Sequence, residues 1–128
     1  MELEQVSYKN IECLFRHPNS PSHWITQIDD FEFMVPVEIW GLGESSKDKV
    51  CEVYSGLQSY IKLAQSYLTE SGQHRDLGID SPDWYPLWLE IENIESNEIT
   101  IAFQLTGDDY GEWKVKFKHG EPTGMCRE

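Results

Sequence analysis

A few sets of residues in this 128-residue chain have types and spacings suited to chemistry. Asp108-Asp109 with Glu112 brings three carboxylates close together, as a Ca²⁺ or Mg²⁺ site needs. Their spacing is not that of an EF-hand loop, and Gly107 with Gly111 marks a hairpin turn first. Glu90 and Glu92 fall on one face of a strand, where paired carboxylates could do acid/base work, but no cleft accompanies them. Gly41-Leu42-Gly43 lacks the third glycine of a dinucleotide fingerprint and reads as a strand-to-helix joint. There is no P-loop and no G-x-S-x-G. Cys13, Cys51 and Cys126 are odd in number and form no C-x-x-C pair, so three reduced thiols are expected. His17, His23, His74 and His119 lack the spacing of a zinc site. The expectation is a protein without catalytic residues, metal or cofactor.

Charge is the most informative feature. Twenty-three acids face ten Lys and Arg, for a formal net charge of −13. That argues against nucleic acid or an anionic membrane as partner. The cations are unevenly spread. None lies between Arg16 and Lys47, where Asp29, Asp30, Glu32, Glu38 and Glu44 stand. None lies between Arg75 and Lys114, a stretch that holds ten acids from Asp76 to Glu112. Where these carboxylates cluster, a negative potential of several kT is expected. Aromatic residues make up 12% of the chain, with five Trp, which argues for a folded domain. No apolar run reaches the roughly 20 residues of a membrane span. The first residues are acidic and carry no apolar core of a secretory signal, so a cytoplasmic location is expected.

The elements that must position these residues follow from hydrophobic period. No linker or repeat divides the chain, so 1–128 reads as one domain. Segment 7–16 has a mixed period, 17–22 is a proline loop, and 24–28 is a short strand. After an Asp29-Asp30 turn, 31–40 alternates, with Phe31, Phe33, Val35, Val37 and Ile39 on one side. Pro36 puts this strand at an edge or at a bulge. Ser45 and Asp48 resemble a capping box, and Val50, Val53, Tyr54, Leu57, Ile61, Ala64 and Leu68 form one stripe. The spacing predicts a single helix over 47–71, roughly 37 Å long, closed by Gly72. Three alternating strands then start near Leu87, Ile99 and Trp113 and should form a meander. The expected fold class is α+β, a twisted antiparallel β-sheet with one long α-helix packed on one face.

The face away from the helix should carry Trp40, Trp88, Glu90 and Glu92, with Lys114, Lys116 and Lys118 beside an acidic strand. A Trp among glutamates is either covered by a loop or serves as an anchor for a partner. Two loop regions mix acid with aromatic in the same way: Asp83-Trp84-Tyr85, and Asp108-Asp109-Tyr110 with Glu112. Such a surface suits a positively charged protein, carboxylates pairing with Arg or Lys and rings supplying area.

Segment 31–40, the capped helix and segment 113–127 together resemble the small immunity proteins of bacterial toxin–immunity systems, contact-dependent inhibition and polymorphic toxins included. The likeness lies in size, acidity and strands around one helix, and no family residue maps onto a position here. It implies a cytoplasmic single-domain protein that binds and neutralises a cognate toxin domain, with a basic nuclease as the natural candidate. Asp83, Trp84, Asp108, Asp109, Tyr110 and Glu112 are then the expected partner-binding residues, with Trp88 and Glu90 behind them. The alternative is a housekeeping or small-ligand-binding domain whose acidity serves solubility.

Overall fold

Backbone pairing in the computed structural model, which describes residues 4–17 and 20–128, links eight strands in chain order into one sheet. These are β1 (Glu4–Tyr8), β2 (Ile11–His17), β3 (Ser20–Ile28), β4 (Phe31–Pro36), β5 (Trp84–Asn93), β6 (Glu98–Leu105), β7 (Trp113–Lys118) and β8 (Glu121–Arg127). Six of the seven pairings are antiparallel; β4 and β5 run parallel, in register at Glu32 with Trp88 and Phe33 with Leu89. Parallel neighbours need a crossover, and three helices supply it: α1 (Val37–Trp40), α2 (Glu44–Ser55) and α3 (Leu57–Ser71). A 3₁₀ turn, Gln73–Leu77, follows α3. The sheet is therefore mostly, not wholly, antiparallel.

The single long helix is not found. Its apolar stripe is buried as expected, apart from the half-buried Tyr54, but the helix is broken at Gly56, whose ψ of 9° departs from helical geometry. Hydrogen bonds from Gly56 N–H to the Glu52 carbonyl (3.0 Å) and from Tyr60 N–H to the Gly56 carbonyl (3.1 Å) keep the halves joined. Gly72 closes α3 in the left-handed region, φ 72°. The capping box does not form, because α2 starts at Glu44, ahead of Ser45. Asp48 instead accepts from the Tyr8 hydroxyl (2.9 Å) and pairs with Lys9 (2.5 Å), tying the β1–β2 hairpin to α2.

Strand alternation holds in β4, where Phe31, Phe33 and Val35 are buried and Glu32 is exposed. The strand stops at Pro36, and 37–40 becomes the short α1, which buries Trp40. Trp40 is thus not on the open sheet face. Nor is β4 an edge strand: it lies between β3 and β5, and Pro36 sits at its end, in register with His23 of β3 and past the stretch that pairs with β5. Segment 7–16 is a hairpin, and β3 starts at Ser20 rather than Trp24, while Pro18 and Asn19 of the expected loop lie outside the described residues. The strand β8 carries Pro122 and Gly124 and has no period to announce it; a His119-Gly120 turn, both residues at positive φ, folds it back on β7.

The helices cover one face of the sheet. Phe33 meets Tyr54 edge-on at 5.2 Å, and Phe117 meets Tyr60 at 5.5 Å. Between them the buried side chains of β5, β6 and β7 complete one core. Phe103 is fully buried, opposite Pro86 on one side and Trp113 on the other. Truncating it leaves a ring-sized cavity that the two flanking strands cannot close. Phe103→Ala is expected to cost about 3–5 kcal/mol in urea unfolding with an unchanged m-value.

Candidate functional site

One end of the sheet collects the acidic connections. The β3–β4 turn holds Asp29 and Asp30, and the parallel pairing brings that turn beside the start of β5. There the Tyr85 hydroxyl donates to Asp30 Oδ2 at 2.9 Å, and that hydrogen bond, with the acceptor's charge behind it, holds the phenol pKa above its usual value. Asp83 precedes β5 at the same end; its carbonyl accepts from Thr106 N–H (3.1 Å) and its carboxylate from the Thr106 hydroxyl (3.2 Å). The β6–β7 connection adds Asp109, Tyr110 and Glu112. Residues 112 and 128 exchange backbone hydrogen bonds of 2.7 and 2.8 Å, which brings Glu128 to the same place.

The expected site residues divide between this surface and the structure beneath it. Asp109 is exposed, and Tyr110 is 95% exposed. Asp83 is also exposed. Glu112 is half-buried, 3.9 Å from Lys114, whose nearer partner is Glu128 at 2.6 Å. Trp84 and Asp108, by contrast, do not reach the surface. Trp84 packs against Trp113 at 5.2 Å and donates its indole N–H to Thr69 Oγ1 at 3.0 Å. Asp108 is buried and receives three hydrogen bonds: Arg127 Nε (2.8 Å), Arg127 Nη2 (2.7 Å) and Trp113 Nε1 (2.8 Å). The Asp108 carboxylate, which lies close to Asp109 and Glu112 in the sequence, is thus bound to a guanidinium. Among the described residues no group of three His, Cys, Asp or Glu is arranged to hold a metal ion.

Trp84 and Trp88 sit four apart in one strand yet face opposite ways. Pro86 is in register with Phe103 and Trp88 with Ala102, so Leu87 is an extra residue that reverses the alternation. Trp88 therefore lies half-buried on the open face, under the Lys114 ammonium at 5.6 Å from its ring centre. Glu90, on the same face, is 2.5 Å from His23 Nε2. Of the lysine strand, Lys114 pairs with Glu112 and Glu128 at the sheet end, while Lys116 and Lys118 stand in register with Gly124 and Glu121 of β8.

From the sequence, Asp29 and Asp30 read as a turn within a cation-poor stretch and Tyr85 as part of the acid-aromatic segment 83–85, and none of the three was among the expected partner-binding residues. The spacing of 55 residues between Asp30 and Tyr85 carries no local signal; only the parallel pairing joins them. Beside them, Ile28 and Phe31 face Leu57 and Ile61 of α3 across a cleft of about 330 Å³. Of the ten acids between Arg75 and Lys114, only Asp108 and Glu112 pair with a Lys or Arg among the described residues. Asp29, Asp30 and Asp83 have no such pair among them either.

No family model, curated protein or solved structure matches the chain. Among the described residues, no helix is long and apolar enough to cross a membrane.

The bidentate Arg127 contact, opposed by burial and aided by Trp113, lowers the Asp108 pKa to about 2. An unfolded Asp titrates near 4, so the stabilisation is complete above that pH and is lost as pH falls from about 4 to about 2. Because the Arg127 side chain is 38% exposed, solvent screening limits the contribution to about 1–2 kcal/mol. Asp108→Asn is expected to be less stable at pH 7 and to show a flatter loss of stability over that window, read by chemical unfolding at successive pH values.

Proposed function

We propose that this protein binds and neutralises a cognate toxin domain with a cationic surface, a basic nuclease fitting best, and that it does so at the acidic end of its sheet. The observation that carries the reading is the meeting of separate connections there. Asp29, Asp30, Asp83 and Asp109 converge without a pairing Lys or Arg among the described residues, beside the exposed rings of Tyr85 and Tyr110.

Two physical roles divide the surface. The carboxylates set up a field that speeds encounter with a positive partner, an effect that fades as salt screens it. The tyrosine rings add contact area with few rotatable bonds and slow dissociation. Glu112, Trp88 and Glu90 extend the surface onto the open sheet face. Trp84 and Asp108 act from below, holding the β6–β7 connection and the start of β5 in place. A nuclease that meets this surface presents its phosphate-binding cations to carboxylates instead, which blocks its substrate without any chemistry in the inhibitor.

The test is co-expression with the product of the neighbouring gene, followed by binding kinetics at two salt concentrations. Association is expected to slow about tenfold or more between low and high salt. Asp83→Lys combined with Asp109→Lys is expected to slow it about tenfold at low salt with little change in dissociation. An association rate indifferent to both salt and charge reversal rejects the acidic end as the docking surface.

A further inference from the structure

We propose that the cleft between α3 and the β3–β4 turn receives an arginine side chain of the partner protein. This rests on the reading of the acidic end as a docking surface, and adds which group enters and where. The cleft, of about 330 Å³, is lined by both apolar and charged side chains, two carboxylates against one ammonium. Ile28, Phe31, Leu57, Ile61 and Pro86 supply hydrocarbon walls, and Asp29, Asp30, Tyr85 and Lys62 are among the polar residues that line it with them.

The occupant follows from that division. An arginine buries three methylenes and ends in a planar, weakly hydrated cation that pairs with carboxylates and stacks on rings. A lysine ammonium keeps its water more tightly, and an anion meets two aspartates. Tyr85 is 48% exposed, and its hydroxyl is committed to one oxygen of Asp30. The other Asp30 oxygen and the Asp29 carboxylate have no Lys or Arg within ion-pair distance among the described residues. Charge, hydrocarbon and an aromatic ring thus meet in one concavity, which a guanidinium on an aliphatic stem matches.

The cleft is also continuous with the surface already described. Lys62 and Gln65 line it and also line the adjoining depression against Pro82, Asp83 and Trp84. Lys62 is the cation of the lining, and it gives the proposal a sign. Reversing its charge must strengthen binding of a cation and weaken binding of an anion.

The experiment is an NMR titration of the whole protein with Nα-acetyl-arginine amide and with Nα-acetyl-citrulline amide, which has nearly the same shape and no charge. Saturable shifts confined to the cleft are expected for arginine, with dissociation constants in the millimolar range set by one side chain, and none for citrulline. Asp29→Asn with Asp30→Asn should weaken arginine binding about tenfold, and Lys62→Glu should tighten it about threefold, each pair at the scale of exposed charge interactions. Equal binding of the two probes, or a weaker response in Lys62→Glu, overturns the proposal. It is also overturned if the toxin domain binds Asp29→Asn/Asp30→Asn as tightly as the unaltered protein. The latter result leaves the acidic surface to its own test at Asp83 and Asp109. Absence of any salt-steered partner alongside specific arginine binding rejects that surface and not the cleft.

Discussion

The parallel pairing of β4 with β5 is the constraint on which the rest depends. It is the single seam between two antiparallel halves, and it spans only a few residues of each strand. Because the strands run the same way, the turn that starts β4 and the segment that starts β5 come to the same end of the sheet. An antiparallel seam would have sent them to opposite ends. The two cation-poor stretches of sequence would then have been separated by the length of a strand. The helical crossover is the price of that arrangement, and its apolar stripe gives the sheet its covered face.

Two local devices hold the acidic end in shape. The Leu87 bulge turns Trp84 inward and Trp88 outward, so one strand supplies both a core pillar and a half-buried ring on the open face. The buried Asp108 gathers Arg127 and Trp113, fixing the β6–β7 connection to the last strand. Gly111 leaves room for this pair, since a Cβ there would overlap the Asp108 carboxylate and the Arg127 guanidinium and push them out of their present geometry. A rigid frame under exposed carboxylates matters for recognition. Charges held in place need no reordering when a partner arrives, so more of the interaction survives as affinity.

The electrostatic pattern separates structural acids from available ones. Asp48 and Asp108 are consumed by hydrogen bonds and cations that stitch elements together, and both are held more acidic than a free aspartate. Asp29, Asp83 and Asp109 perform no such stitching through an ion pair among the described residues. They stay available to a cationic partner, which is why the acidic end, rather than acidity in general, supports the docking reading.

By itself, the sequence determined what local periodicity and composition determine. The alternation of Phe31, Phe33 and Val35, the stripe from Val50 to Leu68, the Gly72 stop and the late meander were all legible, because each depends on neighbours a few residues away. So was the lopsided charge. Tertiary structure alone decided what depends on partners far along the chain. Trp40 was readable as a strand residue until α1 curled it into the core, and Trp84 as a surface ring until a one-residue bulge inverted its face. Asp108 looked like a member of a carboxylate cluster until Arg127, 19 residues on, claimed it. Asp30 and Tyr85 became neighbours only through the parallel seam. A period reports which side a residue faces within its own strand; register, bulges and strand direction report who stands across from it, and those are set by the packing of the whole chain.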